Sequence, residues 1–134
     1  MLDRLRQLTL ERKDLAFETT LAGRGHSRWL LELRSTGYRA HLLFLSLASA
    51  DLAVARVADR VQRGGHAVPE EVIRRRYQAG LRNLFEYYLP TVDSGQIYDN
   101  SQASGPKLIA SWNHGEAPAV VDAAAWDRLR AHAR

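Results

Sequence analysis

Three arginines are spaced so that they could bind a phosphate group from one face of a helix. Arg56, Arg60 and Arg63 lie four and three residues apart, which puts them on the same side of a helix. One guanidinium group can bind two phosphate oxygens at once. It can also neutralise the charge that develops on a transferred phosphoryl group. The alternative is a solvated stripe whose ion-pair partners are Asp51 and Asp59. Both interpretations stay open for Arg56 and Arg60, and the solvated stripe is preferred for Arg63.

A carboxylate beside a hydroxyl forms a second candidate site. Glu18 and Thr19 follow the short apolar segment 15–17, which is predicted to be a strand. Open α/β sheets bind ligands at the carboxyl ends of their strands, so these two side chains could contact a small molecule. The alternative is a solvated loop in which the carboxylate has no ligand and the threonines cap a turn.

The remaining polar residues give weaker signals. His66 follows Gly64-Gly65 and could contact a substrate or belong to a hinge. Asn100 follows a predicted strand and could lie near a base, although a polar turn residue is the simpler interpretation. The run Arg74–Arg76 cannot face one direction, because consecutive helical residues are about 100° apart. The sequence has no cysteine and no His-x-x-x-His pair, so a zinc site is not predicted.

The elements that would position these residues alternate between helix and strand. Ser49 and Asp122 are predicted N-caps, and Gly37 and Gly64-Gly65 are predicted helix ends. The apolar run 39–47 predicts a strand covered on both faces, as in a parallel sheet. The alternation predicts an α/β domain with a largely parallel sheet. Helices are predicted at about 2–14, 26–36, 50–63, 69–88 and after residue 122, and strands at 15–17, 39–47, 96–99 and 107–112.

Four segments, in this order and spacing, resemble one bacterial kinase family. The resemblance is to predicted ABC-type ATPases related to zeta toxins, which are P-loop kinases that phosphorylate UDP-N-acetylglucosamine. It covers roughly residues 1–112. The segments are Phe-Glu-Thr-Thr-Leu-Ala-Gly-Arg at 17–24, Arg-Gly-Gly-His-Ala-Val-Pro at 63–69, Ile-Arg-Arg-Arg-Tyr at 73–77 and Ile-Tyr-Asp-Asn-Ser at 97–101.

The resemblance implies a fold, a set of ligands and roles for individual residues. The implied fold is α/β, a partial P-loop kinase-like parallel sheet with flanking helices and a C-terminal β-hairpin. Residues 1–134 would be a single, incomplete kinase domain, with lid and phosphate-clamp helices at 50–90. ATP and Mg²⁺ are the implied cofactors, and a nucleotide and a small-molecule acceptor are the implied partners. The implied roles are acceptor binding for Glu18, Thr19 and His66, phosphate binding during catalysis for Arg56 and Arg60, and nucleotide binding for Asn100.

The phosphate-binding loop of such kinases does not occur in the sequence. That loop has the form Gly-x-x-x-x-Gly-Lys-Ser/Thr, and neither Lys13 nor Lys107 has these neighbours. We therefore expect a truncated or degenerate kinase that does not transfer phosphate by itself. The strand ending before Glu18 and the strand at 39–47 would then pair directly or leave a gap between them. The alternative is a non-catalytic module that pairs with an antitoxin-like protein or a separate N-terminal half.

Composition narrows the other possible partners. Hydrophobic residues make up 46% and charged residues 25% of the chain, as in ordinary globular proteins. Acidic residues interrupt the basic stretches and no known reader motif occurs, so nucleic-acid binding ranks last. The longest apolar run, 42–50, is about half of the roughly 20 residues that a membrane span needs. We therefore expect no membrane partner, and the lack of a signal-peptide pattern predicts a cytoplasmic location.

Overall fold

A computed structural model describes residues 2–134, except for the side chain of Leu2, and contains five α-helices and four strands. A π-helical turn at Leu84–Tyr88 extends the fourth helix without a break. The helices are α1 (Leu2–Leu10), α2 (Gly25–Ser35), α3 (Ala50–Gln62), α4 (Glu70–Asn83) and α5 (Ala123–His132). The strands are β1 (His41–Ser46), β2 (Ser94–Asp99), β3 (Lys107–Asn113) and β4 (Ala119–Val120).

Local sequence signals account for several of these boundaries. The Ser49 hydroxyl accepts a hydrogen bond of 3.1 Å from the Leu52 N–H and caps α3. The Asp122 carboxylate caps α5 in the same way, through the Ala125 N–H at 3.1 Å. Gly37 has a φ of +100° just after α2, a backbone conformation that glycine adopts without a steric penalty. The predicted caps and this predicted helix end are confirmed.

The sheet has the strand order β1-β2-β3-β4 and places β1 at one edge. Strands β1 and β2 are parallel, with His41 opposite Ser94 and Ser46 opposite Asp99. Strands β2 and β3 form an antiparallel hairpin, and the short β4 pairs antiparallel with β3. The α/β class, the flanking helices and the C-terminal hairpin are confirmed. The sheet is mostly antiparallel rather than largely parallel, because β1 and β2 form its one parallel pair.

Two predictions near the N-terminal end of the sheet are wrong. The segment 15–17 is not a strand, because residues 13–20 have no regular structure and no described strand lies beside them to supply backbone partners. The first helix ends at Leu10 rather than near residue 14, and Arg12 follows it with a φ of +58°. The segment after α1 therefore crosses the domain as an irregular chain.

The predicted burial of β1 on both faces is also wrong. Leu42 and Phe44 pack against the core, whereas Leu43 and Leu45 are 57% and 52% exposed. Alternate residues of a strand point to opposite faces of the sheet, so one face of β1 is largely exposed within residues 2–134. The core lies on the other face, where α4, its π-helical turn and α5 bury the apolar side chains of β2 and β3.

Candidate functional site

A groove of about 660 Å³ lies between the irregular segment and the edge strand β1. One wall is formed by residues 16–21, and the other by residues 41–47. Helix α4 closes the groove with Ile73, Arg76, Tyr77, Gly80 and Leu81, and Ala53 of α3 lies beside it. The volume is within the usual range of small-molecule sites, which are mostly apolar with a few polar groups. Of the two predicted arrangements, direct pairing or a gap, the structure shows a gap, although segment 15–17 is not a strand.

Glu18 and Thr19, which were predicted to contact an acceptor, both line this groove. The Glu18 carboxylate is exposed, so a ligand can reach it. The Thr19 hydroxyl accepts a hydrogen bond of 3.2 Å from the Leu21 N–H. Thr19 thus also has the turn-capping role that was weighed as its alternative, while its hydroxyl proton remains available to a ligand.

Arg76 supplies a positive charge at the same groove, and sequence reasoning missed it. The sequence predicts only that at most one or two arginines of the run Arg74–Arg76 can reach a phosphate, and it does not single out Arg76. A usable signal was present, because Ile73, Arg76 and Gly80 follow the spacing of one helix face. The groove therefore contains both a carboxylate from the irregular segment and a guanidinium group from α4.

Tyr77 presents a neutral phenol beside Arg76. Its hydroxyl donates a hydrogen bond of 2.8 Å to the Leu47 carbonyl oxygen. Burial raises the pKa of Tyr77 to about 12, with a smaller raising effect from Asp99 and an opposing effect from Arg128. The phenol is therefore protonated near neutral pH and cannot serve as a general base there.

Arg56 and Asn100 meet at a different place, the carboxyl ends of β1 and β2. One guanidinium nitrogen of Arg56 donates to the carbonyl oxygens of Asn100 and Ser101, at 2.9 and 3.1 Å. The Asn100 N–H donates to the Ser46 carbonyl oxygen at 2.8 Å and joins the two strand ends. The structure thus brings together a predicted phosphate-binding residue and a predicted nucleotide-binding residue. Neither lines the groove, although Asn100 donates to Ser46, which does.

The other predicted site residues lie around the end of α3 and do not line the groove. The Arg60 carbonyl oxygen accepts a hydrogen bond from the Gly65 N–H at 3.0 Å, which closes the helix. His66 is exposed in the irregular segment that follows. Arg63 pairs with Asp59 at 3.5 Å on the exposed surface, as its preferred interpretation predicted.

Asp51 belongs to a different ion pair from the one that was predicted. Its carboxylate contacts Arg74 of α4 at 2.7 Å, rather than a basic residue of its own helix. Arg74 also contacts Glu70 at 2.8 Å. The hydrogen bond to Glu70, followed by that to Asp51, raises the pKa of Arg74. Arg74 therefore links α3 to α4. Arg76 is the arginine of this run that lines the groove.

The residues described do not provide the donor set of an ATP–magnesium site. No group of three or more His, Cys, Asp or Glu side chains within residues 2–134 is arranged to hold a metal ion. Lys13 is exposed on the irregular segment, and Lys107 begins β3, so neither stands in a glycine-rich loop before a helix. A triphosphate needs such a loop to cradle its oxygens. The described residues therefore do not form this cradle.

Comparison with known proteins identifies the class of protein that carries this groove. The family model described as Zeta toxin matches residues 1–104, and the chain therefore belongs to the zeta toxin family. The match ends before β3, so β3, β4 and α5 lie beyond it.

A relative from Haemophilus influenzae, described only as an uncharacterized protein, is 28% identical over 60 residues. That match covers 45% of this chain and 43% of the relative, so the chain spans less than half of that protein. No solved structure matches the chain. No helix within residues 2–134 has the length and apolar character needed to cross a membrane.

Proposed function

We propose that this chain forms the acceptor-binding part of a zeta-toxin-type kinase and that the groove binds a nucleotide sugar such as UDP-N-acetylglucosamine. The observation that carries the proposal is the presence of Glu18, Thr19 and Arg76 around one groove. A carboxylate accepts hydrogen bonds from sugar hydroxyls, and a guanidinium group can form bidentate hydrogen bonds with a diphosphate. The apolar wall of β1 suits a sugar or base ring.

Arg56, Arg60 and Asn100 are proposed to act on the phosphate-donor side of the reaction. This assignment rests on the family membership and on the contact of Arg56 with the Asn100 carbonyl at the ends of two strands. ATP and Mg²⁺ are the cofactors that the family implies. Because the described residues lack a cradle for the triphosphate, residues 1–134 alone are expected to show no ATP-dependent phosphorylation of UDP-N-acetylglucosamine.

Acceptor binding can be tested without turnover. UDP-N-acetylglucosamine is titrated into isotope-labelled protein, and amide shifts are expected in residues 16–21 and around Arg76. Glu18→Gln and Arg76→Gln should each weaken binding by roughly tenfold, since a charge-assisted hydrogen bond contributes on the order of 1.5 kcal/mol or more. Arg75→Gln is the matched control, because Arg75 is exposed on the same helix and does not line the groove. Equal losses in the control and test variants would refute the proposed site.

The roles proposed on the phosphate-donor side are tested by adding a phosphate-binding segment to the chain. A chimera joins the strand, Walker A loop and catalytic aspartate of a family member to residues 1–134, and phosphate transfer is measured with magnesium. Turnover is expected in the chimera, and Glu18→Ala or Arg60→Ala should reduce it. Turnover by residues 1–134 alone, or a folded chimera that binds ATP without reacting, would show that the assignment is wrong.

A second candidate function is an interaction module that receives a strand from another polypeptide. Ala40 and Ser46 direct their carbonyl oxygens toward the β2 side, so the alternate residues Leu43 and Leu45 direct their backbone groups toward the groove. An edge with free N–H and C=O groups is a template for strand addition. The added strand could come from a separate N-terminal half or from an antitoxin-like protein.

Pairing at β1 gives a distinct experimental signature. Mixing residues 1–134 with a separately produced N-terminal half of a family member should give a stable complex in analytical ultracentrifugation. It should also protect the Leu43 and Leu45 amides from hydrogen exchange. Complex formation without protection of these two amides would place the contact elsewhere and exclude strand addition at this edge.

A further inference from the structure

Leu21 has an unusual backbone conformation for its residue type and its position. Its φ is +59°, in the left-handed region that branched, bulky residues rarely adopt. The side chain is only 3% exposed and belongs to the core. Such a conformation persists only where the surrounding structure holds it. Leu21 lies in the centre of residues 18–23, which we call the acceptor loop.

Three groups from one face of α4 and its π-helical turn hold this loop. The Asn83 side-chain amide donates to the Leu21 carbonyl oxygen at 2.7 Å, and Asn83 is 4% exposed. The Tyr88 hydroxyl donates to the Gly23 carbonyl oxygen at 2.9 Å. Gly80 lets the helix approach so closely that an added Cβ would stand 2.7 Å from the Thr20 carbonyl oxygen.

The two hydrogen bonds are hard to replace once broken. A buried carbonyl that loses its donor retains the cost of its lost hydration, and water has little access to the Leu21 carbonyl beside the buried Asn83 amide. The hydrogen bonds from the Leu21 and Ala22 N–H groups to the Thr19 and Thr20 hydroxyls, at 3.2 and 3.4 Å, depend on the same loop conformation.

We propose that Asn83 is a positioning residue, assisted by Tyr88, that sets the acceptor loop so that Glu18 faces the groove. Neither side chain lines the groove, so both act through the loop and not on the ligand. The proposal extends the proposed function, because it assigns to α4 the control of the geometry at the acceptor site. Both residues lie outside the four segments that indicated the family.

Hydrogen exchange tests the loop directly. In Asn83→Leu, which keeps a similar side-chain volume, the Leu21 and Ala22 amides should exchange roughly tenfold faster, as expected for the loss of one buried hydrogen bond. Tyr88→Phe removes a single hydroxyl and should accelerate the same amides to a smaller extent. Tyr88→Phe also serves as the working variant if Asn83→Leu does not fold.

Thr91→Val is the matched control. Its buried hydroxyl also donates to a backbone carbonyl, that of Tyr87, and makes no hydrogen bond to residues 18–23. Thr91→Val should alter global stability to a similar extent without selectively changing amide exchange at residues 21 and 22. A change that is equal in all three variants, or absent from both test variants, would overturn the positioning role.

A binding measurement separates this role from the proposed function. If wild-type protein binds UDP-N-acetylglucosamine, Asn83→Leu should weaken that binding by roughly tenfold while Thr91→Val retains it. If the wild type does not bind the sugar nucleotide but the loop amides still respond selectively, the proposed acceptor is wrong and the positioning of the loop is supported. Full binding by an Asn83→Leu protein whose loop amides exchange rapidly would overturn the link between Asn83 and Glu18.

Discussion

Replacing Gly80 with alanine tests how closely α4 packs against the acceptor loop. The new Cβ would meet the Thr20 carbonyl oxygen at 2.7 Å, which is shorter than real Cβ contacts allow. A backbone carbonyl cannot rotate away as a flexible side chain can. The helix or the loop must therefore move, and the hydrogen bond between Asn83 and the Leu21 carbonyl oxygen is the contact most directly exposed to that movement.

Opposing effects set the expected loss of stability. Alanine is favoured over glycine in a helix interior by about 1 kcal/mol. Overpacking at a closely packed position costs about 1 to 3 kcal/mol, and weakening the Asn83 hydrogen bond costs about 1 kcal/mol more. The net effect is a loss of roughly 1 to 3 kcal/mol in the free energy of unfolding, in contrast to the stabilisation expected at an open helical site.

Urea denaturation provides the assay, with Gly25→Ala as the matched control. Gly25 begins α2, and an added Cβ there meets nothing within 4 Å. The Gly80→Ala midpoint should fall by roughly 1 M, given an m-value of about 1 to 3 kcal/mol/M, whereas the control should change little. A Gly80→Ala protein as stable as wild type, with unchanged exchange at Leu21 and Ala22, would refute the close packing of α4 and the loop.

Three further predictions address other parts of the molecule. Gly95→Ala should destabilise the fold by about 3 kcal/mol in thermal unfolding, because its Cβ would lie 2.2 Å from the Trp112 ring; a normal melting temperature would contradict this packing. Burial opposes ionisation of Asp93, but hydrogen bonds from the Ala40 N–H and Arg34 outweigh it and lower the Asp93 pKa. Asp93→Asn should therefore cost roughly 1 to 2 kcal/mol at pH 7. This loss of stability is complete above the ordinary pKa of an unfolded aspartate and disappears as the pH falls through the lower folded-state pKa; a pH-independent difference in denaturation would exclude this cause. The amides of residues 66–68 should exchange faster than those of β2, as a mobile lid requires, and equal protection would argue against a lid.

Local chemistry in the sequence was sufficient to predict much of the fold. The caps at Ser49 and Asp122 and the helix end at Gly37 depend on contacts within a few residues, so short-range rules locate them. The apolar runs of β1 and β3 likewise indicated strands. The groove residues Glu18 and Thr19 were found because they lie in a segment that resembles a known family.

The features that the sequence did not reveal depend on residues far apart along the chain. Segment 15–17 has the composition of a strand, but a strand also requires a neighbour with free backbone groups, and the groove separates this segment from β1. Arg76 reaches the groove because α4 packs beside it, and Asn83 contacts Leu21 although the two residues lie 62 positions apart along the chain. Composition and local spacing determined which residues could form elements and carry charge, whereas tertiary packing alone decided which of them face one another.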